Sequence, residues 1–141
     1  MNLQSLPCYC ASLRQAARAA TSLYESLLAG TGLHVTQFTA LQVLERASNL
    51  TTTEIAQVIG IDQTTATRTL SLIKKAGLAS DSVGADRRLR RWTLTPLGVQ
   101  QLKKLTPKWE EAQLEFEKRV GKLQALALKK ASFDVASRLN A

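Results

Sequence analysis

A chain of 141 residues with 45% hydrophobic side chains can bury a core of one domain, so it is not a disordered basic tail. Its 19 Lys and Arg against 11 Asp and Glu give a net charge of +8, which points first to a polyanionic partner. One His and two closely spaced Cys argue against a His/Cys zinc site and a Ser-His-Asp triad, so no metal and no cofactor is expected.

No run approaches the roughly 18 apolar residues of a membrane span, and Met1-Asn2-Leu3-Gln4 lacks the basic start of a signal peptide. A cytoplasmic location without membrane contact is therefore expected. The positive excess is central. Residues 51–105 hold nine basic and four acidic side chains, whereas charges in residues 106–141 interleave as on a solvated helix face.

From Pro7 to Leu28 the chain is rich in Ala, Leu and Arg. Leu13, Ala16, Ala17, Ala20, Leu23, Tyr24 and Leu27 recur at spacings of three and four, which predicts a helix ended by Ala29-Gly30-Thr31-Gly32. Thr36 is the expected N-cap of a second helix carrying Phe38, Leu41, Val43 and Leu44, and Ser48-Asn49 breaks it. No strand is expected before residue 60.

Thr51-Thr52-Thr53-Glu54 reads as a capping box for a short helix with Ile55, Ala56 and Ile59 on one face. Gly60 supplies a turn, Ile61 is expected in the core, and Asp62 caps the next helix. There Ala66, Thr69, Leu70 and Ile73 face inward, while Gln63, Thr64, Thr67, Arg68, Ser71, Lys74 and Lys75 stay outside. Two short helices joined by a glycine turn, the second with a polar and basic outer face, describe a helix-turn-helix. A plain helical hairpin is the other reading of the same residues.

After Ala76-Gly77-Leu78 the helical period stops. Leu78 to Val83 reads as a strand, Gly84-Ala85-Asp86 as a turn, and Leu89 to Leu94 as the return strand with Trp92 and Leu94 on one face. Arg87, Arg88, Arg90 and Arg91 crowd the tip, a poor core and a good reader of phosphates or a minor groove. Thr95-Pro96 opens a further helix as N-cap and first turn, which Pro107 is expected to kink or break. A segment with Trp109, Leu114, Phe116 and Val120 runs to Gly121, and a last helix covers Leu123 to Leu139.

This order resembles the MarR family of winged helix-turn-helix transcription regulators. The resemblance rests on Asp86-Arg87-Arg88, five residues, Leu94-Thr95, two residues, Gly98, on Ala76-Gly77-Leu78, and on Gly32-Leu33 with Thr36-Gln37-Phe38. It covers about residues 7 to 139. The implied fold is mainly α with a small antiparallel β-wing. Residues 1–141 would form a single MarR-like domain, with a DNA-binding core at 34–100 and dimerisation helices at 7–30 and 107–139.

The resemblance implies a homodimer on double-stranded DNA. Long apolar helical flanks on a small core are also what a dimer interface looks like, the other reading being cover for a monomer's core. The helix from Asp62 to Lys75 would enter the major groove. Gln63 would pair with adenine, and Arg68 with guanine or a phosphate; Thr64, Thr65 and Thr67, with Thr51 and Thr53 of the preceding helix, would meet phosphates or methyl groups. Arg88, with Arg87 and Arg90, would serve the minor groove, and Asp86 would orient Arg68 or Arg87.

Cys8-Tyr9-Cys10 is a separate feature. Residues two apart on a helix point about 200° apart, so an intrahelical disulfide is geometrically poor unless the helix begins after Cys10. An organic-peroxide-sensing branch of the family carries a reactive cysteine near the start of helix one. Cys10 falls at that position and Tyr24 matches one of its tyrosine partners, while Arg14, one turn from Cys10, replaces another tyrosine. Both cysteines as packed apolar side chains, a redox sensor with Cys8, or an intersubunit disulfide remain open readings. His34 is expected to cap or contact backbone.

The function expected is a sequence-specific repressor released by a small ligand or by thiol oxidation. The alternative is a non-specific architectural or RNA-binding basic protein. No carboxylate pair, phosphate-cradling loop or nucleophile–base set argues for an enzyme.

Overall fold

The computed structural model describes residues 7–141. Its elements are α1 (Tyr9–Leu28), α2 (Val35–Arg46), β1 (Leu50–Thr51), α3 (Thr52–Ile59), α4 (Gln63–Lys75), β2 (Ala79–Val83), β3 (Arg90–Leu94), α5 (Pro96–Val120) and α6 (Lys122–Leu139). They divide into two compact units: residues 28–107, and a helical unit of the described residues up to Leu27 with residues 108–141.

In the first unit α2, α3 and α4 pack on one another around Phe38, Leu41, Ile55, Leu70 and Ile73, all fully buried. Each such side chain stabilises the unit by about 1.5–3 kcal/mol relative to exposure. Local chemistry sets the helix ends. Thr51 Oγ1 accepts the Glu54 amide at 3.2 Å while Glu54 Oε2 accepts the Thr51 amide at 2.8 Å, completing the expected capping box. Gly60 ends α3 at φ 80°, a left-handed conformation that a side chain would strain. Asp62 then starts α4 by accepting the Thr65 amide at 2.7 Å.

The sheet is antiparallel in the order β1-β3-β2, with Leu50 opposite Trp92 and Asp81 opposite Trp92 on the other side. Ala79, Asp81 and Val83 therefore share a face with Arg90, Trp92 and Leu94. The buried Trp92 donates Nε1–H to Thr52 Oγ1 at 3.0 Å, tying the sheet to the start of α3.

Four expectations need correction. A strand does precede residue 60: Leu50 and Thr51 pair with β3, because Asn49 turns the chain at φ 67° and its amide donates to the Trp92 carbonyl at 2.8 Å. The cap of α2 is His34, not Thr36; Gln37 Oε1 accepts the His34 amide at 2.9 Å and so fixes the start two residues earlier. Ile61 is half-buried rather than a core plug. Pro107 does not end its helix, since α5 runs unbroken to Val120; Pro107 lies on the exposed side, where the Lys103 carbonyl that loses its donor can be hydrated.

The helical unit has little core of its own. Its buried side chains among the described residues are Ala112 and Ala125, while Leu114, Leu123, Leu126, Phe133 and Leu139 are exposed. No helix among the described residues is long and apolar enough to cross a membrane.

Candidate nucleic-acid interface

α4 divides into two faces as its sequence period requires. Ala66, Thr69, Leu70 and Ile73 are buried, and Gln63, Thr64, Thr67, Arg68, Ser71, Lys74 and Lys75 are exposed. Apart from Leu72, which is 48% exposed, the exposed residues of α4 carry polar, hydroxyl and cationic groups, the donors that phosphates and base edges accept. Thr67 Oγ1 donates to the Gln63 carbonyl at 2.9 Å, and Thr65 Oγ1 to Asp62 Oδ2 at 2.9 Å. These bonds hold the first turn of α4, and the Thr65 amide, then the Thr65 hydroxyl, keep the Asp62 carboxyl below its ordinary value.

Beside α4 stands the β2–β3 hairpin with its arginine-rich tip. A cleft of about 410 Å³ separates hairpin and helix, lined by Thr53, Gln63, Thr67, Lys74, Arg88 and Arg90 among others. Gln63, Thr64, Thr67 and Arg68 line a second, shallow concavity on the outer side. Most of the expected contact residues are thus brought onto adjoining surfaces of one unit. Arg87 is exposed on the tip but lines neither hollow.

Two expected contacts change role. Thr51 is 8% exposed and its hydroxyl accepts the Glu54 amide as the α3 cap, while the residue also lines the cleft. Asp86 does not orient Arg68 or Arg87. Its Oδ1 accepts both the Arg88 amide at 3.0 Å and Arg88 Nε at 3.2 Å, and Arg88 Nη2 reaches Oδ2 at 3.3 Å. Arg88, two residues on across the turn, thus supplies both its backbone amide and its guanidinium to the one carboxylate. Arg88 holds the Asp86 carboxyl below its usual range.

Asp81 was not singled out by sequence reasoning. Its Oδ1 lies 2.8 Å from Lys74 Nζ and its Oδ2 lies 2.6 Å from Arg90 Nη1, so one carboxylate joins the end of α4 to the return strand of the wing. Lys74, then burial working against it, then Arg90 set a net downward shift of its pKa. The available signal was strand alternation, which puts Asp81 on the inward face with Ala79 and Val83. Arg91 Nη1 donates to the Asn49 carbonyl at 3.1 Å and so braces β3 rather than the tip.

In the helical unit Cys8 and Cys10 are free thiols and exposed. Cys8 precedes α1 and its Sγ accepts the Ala11 amide at 3.4 Å, while Arg14 Nη2 donates to Cys10 Sγ at 3.4 Å. Tyr24 donates its hydroxyl to Gln113 Oε1, and burial, then the Glu117 charge, raises its pKa. Fourteen residues of helix separate Cys10 from Tyr24, about 21 Å along the axis, so one chain does not bring these two together.

Comparison with known proteins agrees with this arrangement. A family model described as the MarR family matches residues 31–89. The Mycobacterium tuberculosis transcriptional regulator MosR, solved in complex with DNA, is 32% identical over 94% of this chain and 96% of its own, with a TM-score of 0.80. The Bordetella bronchiseptica regulator BpsR, whose DNA binding is regulated by 6-hydroxynicotinic acid, is 22% identical over 88% and 95% with a TM-score of 0.78. The Staphylococcus aureus MepR–DNA complex is 18% identical over 93% and 98% with a TM-score of 0.74. These last two show likeness of fold. No curated protein matches the chain. The chain belongs to the MarR family, whose members are transcriptional regulators and not enzymes.

Proposed function

We propose that the chain is a homodimeric, sequence-specific regulator of double-stranded DNA, acting in the cytoplasm as a repressor at pseudo-palindromic sites. The observation that carries this reading is the set of exposed polar and cationic side chains on α4, Gln63, Thr64, Thr67, Arg68, Ser71, Lys74 and Lys75, set beside an arginine-tipped hairpin in one unit. Gln63 and Arg68 read base edges in the major groove; Thr53, Thr64 and Thr67 meet the backbone; Arg88, with Arg87, enters the minor groove. Dimer symmetry places half-sites about one helical turn, ~34–36 Å, apart.

The homodimer is supported by the helical unit, whose exposed Leu123, Leu126, Phe133 and Leu139 have too little core of their own to cover them. Residues 34–100 act as the reading core, with residues 7–30 and 107–139 as dimerisation helices. Release comes from a small ligand or from oxidation of the Cys8 and Cys10 thiols. Their exposure and the Arg14 contact on Cys10 support the second route.

Selection from a random duplex pool by the purified chain tests the reading. Enrichment of an inverted repeat is expected. Recovery of unrelated sequences, or equal retention of RNA, would favour the architectural or RNA-binding alternative.

A further inference from the structure

We propose that Asp81 is the positioning residue of the DNA interface, holding Lys74 of α4 and Arg90 of the wing together so that their remaining donors meet one backbone phosphate in the cleft between helix and hairpin. This deepens the reading of the chain as a DNA-binding regulator and rests on it. Lys74 belongs to no contact set inferred from the sequence.

The geometry is that of a clamp. The Asp81 side chain is 6% exposed, whereas Lys74 and Arg90 are 51% and 58% exposed. The carboxylate is therefore the back of the cleft and the cations are its front. Both carboxylate oxygens are used, one per cation, at 2.8 and 2.6 Å. A largely buried carboxylate is costly to leave unpaired, so two side chains that would otherwise wander in solvent are tied to fixed positions.

An ammonium has three donors and a guanidinium five. Pairing with Asp81 consumes one nitrogen contact of each and leaves the others directed outward. The hydroxyls of Ser71 and Thr53 line the same cleft, in keeping with a phosphate's need for several donors. The strand register explains the reach: Asp81 stands opposite Trp92, and Arg90, two residues before Trp92, is its diagonal neighbour on the same face.

A positioning role and a merely electrostatic one have opposite signs. If Asp81 were only a negative charge near DNA, Asp81→Asn would tighten binding to every duplex. As a clamp, its loss frees both cations: binding to pool-selected DNA weakens by about tenfold, while binding to random DNA holds or tightens.

Fluorescence anisotropy of wild type, Asp81→Asn, Lys74→Gln and the double variant on both duplexes makes the comparison. The double variant is expected to lose less on selected DNA than the sum of the two single losses, because Asp81 acts in part through Lys74. Equal tightening on both DNAs, or additive losses in the double variant, would overturn the proposal. Should Asp81→Asn fail to fold, Arg90→Gln replaces an exposed side chain and is expected to weaken binding to both duplexes with a salt slope smaller by about one; unchanged affinity and slope would overturn the proposal. If wild type does not discriminate, the regulator reading fails on its own. Amide exchange then decides the clamp without DNA: faster exchange in residues 82–90 of Asp81→Asn supports it, and unchanged exchange overturns it.

Discussion

Gly98 lies so close to the Leu78 carbonyl that a Cβ on Gly98 would stand 2.0 Å from the Leu78 oxygen. The first turn of α5 is thereby pressed against the segment leaving α4. Thr95 locks the same junction, donating to the Gly77 carbonyl at 2.5 Å and accepting the Gly98 amide at 3.0 Å. The Leu94-Thr95 and Gly98 part of the wing signature is thus a backbone junction behind the reading head. It sets where α5 starts.

Gly98→Ala should therefore force backbone to move and cost about 1–3 kcal/mol or more, as overpacking does. Thr95→Ala should cost about 1 kcal/mol through the lost cap. Urea unfolding measures both. A wild-type midpoint in Gly98→Ala would show that the approach of α5 to Leu78 is not needed.

Trp92 and Thr52 give a second test. Thr52→Val keeps the shape but leaves the buried Nε1–H without its acceptor, at a cost of about 1–3 kcal/mol. Trp92→Phe should cost less in the Thr52→Val background than in the wild type, because there it also removes the orphaned donor. An additive double variant would contradict the bond's role.

The helix-turn-helix was legible because each signal was local: a capping box at Thr51 and Glu54, a turn at Gly60, and a helical period from Ala66 to Ile73. The wing was legible from strand alternation around Trp92. What escaped reading was tertiary. Leu50 and Thr51 became a strand only because β3 runs past them, and Asp81 found its partners on two different elements. The Asp86 partner was misjudged because turn geometry, not nearness along the chain, chooses it: Arg88 brings both its amide and its guanidinium to the carboxylate, and the adjacent Arg87 does not. Pro107 misled because propensity predicts a break, while an exposed position lets the helix continue.

The carboxylates fix the sign of the acid response. Asp62, Asp81 and Asp86 have folded pKa values below the ordinary carboxylate value. Their stabilisation is complete above the unfolded value of about 3.9 and is lost as pH falls through the lower folded values. Stability should be flat with respect to these groups at neutral pH and fall below about pH 4. Asp81→Asn should make that fall shallower, as urea midpoints at several pH values would record. An unchanged acid limb would mean that the Lys74 and Arg90 contacts on Asp81 do not form in solution.

The dimer proposal predicts that charges on the bare helical face break assembly. Leu126→Glu with Phe133→Glu should convert the species seen by sedimentation from dimer to monomer, both side chains being exposed in one chain. A dimer that persists in this variant would move the interface elsewhere.

Thiol oxidation is tested by adding an organic hydroperoxide to the DNA complex. Loss of binding that dithiothreitol restores, and that Cys10→Ser abolishes, is the expected outcome. Binding that ignores the oxidant would leave a small ligand as the releasing signal.

The most direct measurement is the affinity of the wild type and of Arg68→Ala and Arg88→Ala for the selected inverted repeat and for a shuffled duplex, at two salt concentrations. The wild type should prefer the repeat by about a thousandfold or more, with affinity for both falling steeply as salt rises. Arg88→Ala should lose about 1–3 kcal/mol on the repeat, the value of one base-edge contact, and Arg68→Ala should lose affinity or relax specificity at one position. Equal affinity of the wild type for both duplexes, or full affinity in both variants, would contradict sequence reading by α4 and the wing.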